Sequence, residues 1–336
     1  MKRVTTIVVL IVALVAVGPR PAVDVPDANA IAQRVPTELT HIPAYLAQEE
    51  SAVTGIHANT EKRVVWAVGD GIDSTPHRTP KSVVYLHGFS ATRQETAPFS
   101  ETLARALGAN LFETRLAGHG LPGASMNGVT AQDWLGDAVE ALTIGQRIGD
   151  SVIVVATSTG GTLAVWLATQ PIEQRRGLQS LVLISPNIAI KDPTARILTW
   201  PWMQSILPRV IPERHWTSHN AEQERYWTTT YPSTVLFPMA GLVSHVRHTD
   251  PARYTTPTLL FTNAGDDVVD AGATATFFDG VHNAAVERVA ITPRAGEDHH
   301  VIVGRIVSPS QVTPFLERTL TFLRATHTPS SASSPR

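Results

Sequence analysis

Ser158 stands at the centre of Ala156-Thr157-Ser158-Thr159-Gly160, directly after the apolar run 152–156 and before a helical stretch over 160–170. A strand, a sharp turn and a helix with Ser at the apex lift the hydroxyl clear of the sheet and force a strained backbone there. Small residues are needed two before and two after the Ser, because strand and helix pack tightly. Ala156 and Gly160 fill those places. A hydroxyl so placed is suited to nucleophilic acyl transfer, provided a base takes its proton and a carboxylate orients the base.

The remaining groups for that chemistry occur in three other turns. The run 82–86 leads into His87-Gly88-Phe89-Ser90. Acyl transfer builds negative charge on oxygen, and two preorganised backbone N–H groups stabilise it best. Phe89 N–H, after the first run, and Thr159 N–H, after the nucleophile, are the candidates. Gly88 allows close backbone approach, and His87 reads as structural. The run 258–262 is followed by three carboxylates, Asp266, Asp267 and Asp270. Asp266 fits the acid best, because Val268 and Val269 turn the chain back inward; the other two stay open. The run 286–291 leads to Asp298-His299-His300, then to the apolar Val301-Ile302-Val303. His300, the last loop position before the chain descends, is the candidate base, with His299 its competitor. Adjacent His residues on an extended loop point apart, so no metal site is expected, nor any cofactor. The lid histidines His215, His219, His245 and His248 read as surface or packing residues.

The elements that must position these groups follow from periodicity. Short apolar or β-branched runs at 63–67, 82–86, 110–113, 152–156, 181–184, 258–262 and 286–291 alternate with helical stretches at 95–107, 131–148, 160–170 and 311–325. Several runs are continuous rather than alternating, as suits central strands of a parallel sheet covered on both faces. The expected fold class is α/β, a mostly parallel doubly wound sheet. The alternation fails over 186–254, a stretch with four of the seven tryptophans (Trp200, Trp202, Trp216, Trp227) together with Met203 and Met239. Its length exceeds an ordinary connection. It reads as an inserted, mainly helical lid at the carboxyl edge of the sheet, where open α/β sheets bind ligands; the competing reading is extra core scaffolding. The core then comprises 60–185 and 255–326.

Composition narrows the classes further. The chain has 336 residues, 43% hydrophobic and 17% charged, with net charge -2 and no cysteine. Disulfides, thiolate catalysis and Cys-ligated zinc are excluded. No basic stripe marks a nucleic-acid partner. Lys2 and Arg3 precede the mostly apolar stretch 4–17, and Gly18-Pro19-Arg20-Pro21 ends it. This is the layout of an export signal or an uncleaved anchor within 1–30, with an extracytoplasmic enzyme and membrane association the expectation. Ala28-Asn29-Ala30, the A-x-A-like site, lies far from the apolar run. The Ser/Pro-rich tail 328–336 reads as disordered.

Together these residues resemble the α/β-hydrolase superfamily, and within it the lidded esterases and monoacylglycerol-lipase-like hydrolases. The carriers are His87-Gly88-Phe89, Gly118-His119-Gly120, Ala156-Thr157-Ser158-Thr159-Gly160, Gly265-Asp266-Asp267-Val268-Val269 and His299-His300-Val301. The resemblance spans about residues 60–325. It implies a chain order of Ser, acid and His, carried onto Ser158, Asp266 and His300. The family often has an Asp shortly before its Gly-His-Gly turn; Arg115 and Leu116 stand there instead, which bears on substrate choice. The implied activity is hydrolysis of a small-molecule carboxylic ester with an apolar acyl group, through an acyl-enzyme. Thioesterase, amidase and lactonase chemistry share the same triad. A silent hydrolase fold used for binding is the remaining alternative.

Overall fold

A computed structural model describes residues 18–68 and 75–326. The apolar stretch 4–17 and the tail 328–336 lie outside the described residues. Chain order begins with two helices, α1 (Ala28–Arg34) and α2 (Ile42–Ser51), that the hydrophobic pattern did not announce. There follow β1 (Arg63–Val65), β2 (Thr79–Leu86), α3 (Phe99–Leu107), β3 (Asn110–Glu113), α4 (Ala131–Ile148), β4 (Gly149–Thr157), α5 (Thr159–Ala168) and β5 (Leu178–Ile184). The insertion contributes α6 (Met203–Val210), β6 (Glu213–His215), α7 (Ala221–Tyr226), β7 (Thr230–Pro232) and α8 (Leu236–Arg247). The chain then returns through β8 (Thr258–Thr262), α9 (Ala271–Asp279), β9 (Val286–Ala290) and α10 (Val312–Ala325).

Seven strands form one sheet in the order β1-β3-β2-β4-β5-β8-β9. Only the β1–β3 pair is antiparallel; the rest run parallel. This is the α/β sheet that the alternation of runs implies. The period-two rule sorts each central strand onto two faces. On β4, Val152, Val154 and Ala156 join the core under α4, α5 and α8, while Ile153 and Val155 face α3 and α10. Both faces are covered, so β4 is apolar without a break from Val152 to Ala156.

Most element ends shift by a few residues from the sequence reading, and two differences bear on the site. The helix read from residue 95 starts at Phe99, because residues 88–98 form a run of turns that folds Glu95 inward. The lid region also holds a two-stranded antiparallel ribbon, β6 with β7. Within the same region α8 sends Met239, Leu242, Val243 and Val246 into the main core.

α2 and the segment after it are tied to α4 by part-buried polar contacts. The Tyr45 hydroxyl donates to Glu140 Oε1 at 2.6 Å, and Lys62 Nζ donates to Glu140 Oε2 at 2.5 Å. Arg115, which stands near the family's usual Asp, makes a two-pronged pair with Glu50 of α2 at 2.8 and 3.1 Å and donates to the His119 carbonyl. Its role is thereby read: it ties the N-terminal segment to the Gly118-His119-Gly120 turn. Ala28-Asn29-Ala30 opens α1, capped by Asp27, with Ile31 buried in the core. No helix among the described residues is long and apolar enough to cross a membrane.

Candidate active site

β4 ends at Thr157, and α5 begins at Thr159. The single residue between them, Ser158, takes φ 51° and ψ −117°. A non-glycine residue there is strained, and the surroundings must hold it. They do so from three sides. Ser158 N–H donates to the Ile184 carbonyl at 3.0 Å, and its own carbonyl accepts from Asn187 at 2.9 Å and Thr162 at 3.1 Å. A Cβ placed on Gly160 would lie 2.1 Å from the Leu86 carbonyl oxygen, so only glycine lets α5 approach β2 this closely.

The candidate base and acid arrive from the ends of neighbouring strands. His300 Nε2 lies 2.9 Å from Ser158 Oγ, and His300 Nδ1 lies 2.9 Å from Asp266 Oδ2. Asp266 Oδ1 accepts from Val268 N–H at 2.9 Å and Val269 N–H at 2.8 Å. All three side chains are buried. Burial opposes the charge on Asp266, but the His300 ring and the two amides outweigh it and hold the carboxyl below its usual range. Burial likewise opposes protonation of His300. The Asp266 hydrogen bond and charge, with Asp298 and Glu95 beyond, win and raise it above 6.5.

The competitors stand elsewhere. Asp267 and His299 are exposed, and Asp270 caps α9 by accepting from Ala273 N–H at 3.0 Å. His87 is buried and neutral, its titration lowered by burial and by His119. Its Nε2 accepts from Leu116 N–H at 3.0 Å, so Nδ1 carries the proton and donates to the Gly88 carbonyl at 2.9 Å. The ring thus braces the turn after β2. Phe89 N–H and Thr159 N–H donate no hydrogen bond among the described residues. Thr159 N–H is the first amide of α5, where the helix dipole favours negative charge.

A cavity of about 400 Å³ opens over Ser158. One wall is apolar: Phe89, Ile190, Tyr231, Leu236 and Met239, with Val268 at the edge. Trp216 and Trp227 of the lid form another part, beside Val301. Of the lid's four tryptophans, Trp200 and Trp202 instead face outward, 57% and 37% exposed. Three polar participants escaped the sequence reading. Asp298 accepts from His300 N–H at 2.7 Å and Val301 N–H at 2.6 Å, which holds the loop carrying His300. His219, read as a bystander, sits with Nε2 3.2 Å from Asp298 Oδ2 and lines the cavity. Glu95 lines it too, fully inside the fold. Asp298 stood in the His300 loop with no role read for it, and nothing in the sequence brought Glu95 or His219 to the site.

A family model described as Serine aminopeptidase, S33 matches residues 77–295, more than half of the chain. The protein belongs to that family. This member of the S33 family is also similar to a thermostable monoacylglycerol lipase of Bacillus sp. (strain H-257), 26% identical over 212 residues, covering 63% of this chain and 81% of that one. Among solved structures, a metagenome-derived lipolytic enzyme superposes with TM-score 0.62 at 20% identity, covering 80% of this chain and 99% of that one. A soluble variant of monoglyceride lipase from Saccharomyces cerevisiae gives TM-score 0.56 at 14% identity, with 80% and 92% covered. These likenesses carry the fold, and it is the α/β-hydrolase fold.

Proposed function

We propose that the chain is a serine hydrolase of carboxylic esters with an apolar acyl group, working through Ser158, His300 and Asp266. The observation that carries the reading is the continuous hydrogen-bonded path from Asp266 through His300 to Ser158 Oγ, 2.9 Å at each step, at the floor of the apolar cavity. The lipase named among its relatives supports the ester as the bond.

In the mechanism His300 Nε2 takes the Ser158 proton as Oγ attacks the ester carbonyl. Asp266 keeps the other ring proton on Nδ1 and stabilises the imidazolium. Phe89 N–H and Thr159 N–H bind the oxyanion. The imidazolium then protonates the leaving alcohol. His300 next takes a proton from water, which attacks the acyl-enzyme, and the imidazolium returns that proton to Ser158 Oγ as the acyl bond breaks and the acid leaves.

The test is labelling by a fluorophosphonate probe with peptide mapping, together with Ser158→Ala on a p-nitrophenyl acyl ester. Label on Ser158 and loss of turnover in the variant support the reading; full activity in Ser158→Ala would falsify it. The family description names an aminopeptidase, so an amide substrate is the second reading. A panel of matched ester, amide, thioester and lactone substrates separates them.

We infer further that the protein is exported or anchored through residues 4–17, which rests on the basic start and the apolar run alone. Sequencing the N-terminus of the mature protein tests it; an intact Met1 in a cytoplasmic fraction would sink it.

A further inference from the structure

One buried carboxylate lies against the reacting groups and has no part in the steps above. Glu95 belongs to the turns between β2 and α3 and is only 2% exposed. Its Oε2 accepts from Gly88 N–H at 2.8 Å and from the Tyr85 hydroxyl at 2.8 Å. That hydroxyl also lies 3.3 Å from Thr157 Oγ1, next to Ser158. One polar chain therefore joins the strand that carries the nucleophile to the turn that carries Phe89 N–H.

The packing is equally tight. A Cβ on Gly88 would fall 2.6 Å from Glu95 Oε1 and 3.1 Å from Ser158 Cβ. Glycine at 88 is what lets carboxylate, turn and nucleophile meet. Oε1 makes no hydrogen bond among the described residues, and the residue borders the cavity beside Ser158 and His300. No Lys or Arg pairs with Glu95 among the described residues. Burial pushes its carboxyl up to about 7, although Gly88 N–H, the Tyr85 hydroxyl and His300 pull the other way. A buried carboxylate without a cation costs stability, and such groups gather where chemistry needs them.

We propose that Glu95 is a positioning residue for the reaction: through Gly88 it holds the turn so that Phe89 N–H faces the oxyanion, and it turns a negative charge toward the His300 imidazolium. This rests on the serine-hydrolase reading above. The groups facing the carboxylate are Tyr85 from β2, and His300 and Asp298 from the loop after β9. His219 of the lid stands behind Asp298.

Glu95→Gln and Glu95→Ala in the full chain test it, with kcat and KM on a p-nitrophenyl ester measured across the acid limb. A Gln oxygen can accept from both Gly88 and Tyr85; Ala accepts nothing. Losing one oriented oxyanion donor costs about 10²–10³ in rate, so Glu95→Ala is expected to lose that much kcat with KM moved less than about threefold. Gln is expected to restore kcat to within about tenfold of wild type, since the turn keeps its acceptor. In Glu95→Gln the acid limb of kcat/KM moves to lower pH, because the carboxylate that faces His300 in the upper part of that limb, where Glu95 has lost its proton above about pH 7, is gone. A purely structural role would not move that limb. Unchanged kcat in Glu95→Ala with an unchanged limb in Glu95→Gln overturns the proposal. If the Ala variant does not fold, the limb in Gln decides alone: a shift supports the proposal and its absence overturns it. Fluorophosphonate labelling separates the two levels. A wild type that is not labelled at Ser158 removes both readings, whereas a labelled wild type with indifferent Glu95 variants removes only this one.

Discussion

In an Asp266→Asn variant the side chain has one oxygen to offer where the carboxylate has two. Oδ1 of Asp266 serves two backbone donors, Val268 N–H and Val269 N–H at 2.9 and 2.8 Å, while Oδ2 serves only His300 Nδ1. The Asn oxygen goes to the two amides. The flipped amide would set its NH2 against them and leave two buried donors unpaired, at about 1–3 kcal/mol each. The Asn NH2 then faces His300 Nδ1, which must accept. The single ring proton moves to Nε2, the nitrogen 2.9 Å from Ser158 Oγ. That nitrogen can no longer take the serine proton. The same tautomer inversion in a serine protease triad lowers kcat by about 10⁴, so a loss of about 10⁴ is expected here, or about 5 kcal/mol of barrier. KM is expected to stay near wild type, because Asp266 does not border the cavity. The assay is steady-state turnover of a p-nitrophenyl ester beside a thermal melt, with Asp267→Asn as control at the exposed neighbour. Asp266→Asn within tenfold of wild type, or an equal loss in Asp267→Asn, would refute the assignment of the acid.

Four further outcomes follow from the same geometry. His300 has its protonation raised above 6.5, so kcat/KM should fall as pH drops through an apparent value higher than that; a pH profile with its limb below 6.5 goes against the arrangement. The Glu95 carboxyl is raised from 4.5 to about 7, so the unfolded chain releases its proton first and stability falls as pH rises between those values; Glu95→Gln should flatten that part of a Tm-against-pH curve, and an identical curve contradicts it. Gly160→Ala puts a methyl 2.1 Å from the Leu86 carbonyl oxygen and 2.6 Å from that of His87, both backbone, so α5 must retreat; about 1–3 kcal/mol or more of stability and most turnover should be lost, checked by denaturant melts and kinetics. If the leader is removed, the mature chain should begin before Asp27, because Asp27 caps α1 and Trp202 N–H donates to the Pro19 carbonyl at 2.9 Å; a first residue after Ala30 would refute that.

Central strands were legible because burial on both faces forces continuous apolar runs such as 152–156, and the elbow was legible because its small residues answer a local steric demand. Asp266 and His300 were narrowed by the same logic, from neighbours expected to turn inward: Val269 and Val301 do so, whereas Val268, expected to do the same, is 47% exposed at the cavity edge. What stayed hidden depends on contacts across long separations. α2 carries a weak amphipathic pattern, and besides buried Ile42 and Leu46 its hold on the core comes from Tyr45 and Glu50 meeting Glu140 and Arg115, whereas α1 is held through Ile31. Glu95 reads as the polar start of a helix, since nothing local says that Gly88 and Tyr85 will take its carboxylate inward. The lid's short ribbon and its division between core-facing Leu242 and cavity-facing Trp216 are set by the surface beneath, which the lid's own sequence does not contain.

Sheet register ties these observations to chemistry. Ser158 follows β4, Asp266 follows β8 and His300 follows β9, so three loops from three parallel strands must end level. Thr157 pairs with Ile184, Ile184 with Phe261, and Phe261 with Val289, which aligns the carboxyl ends across four strands. A slip of one residue would move a loop by about 3.3 Å along its strand. A catalytic constellation tolerates only about 0.5 Å. The one irregularity between β4 and β5 falls at Val152/Ile153, toward the far end of β4 from Ser158. The departure from ideal pairing is therefore spent where no reacting atom depends on it. The apolar side chains that lock the register, Val154, Val155, Leu183 and Leu260 among them, are fully buried. Core packing here does more than hold the protein together, because it sets the two 2.9 Å distances on which the proposed proton transfer rests.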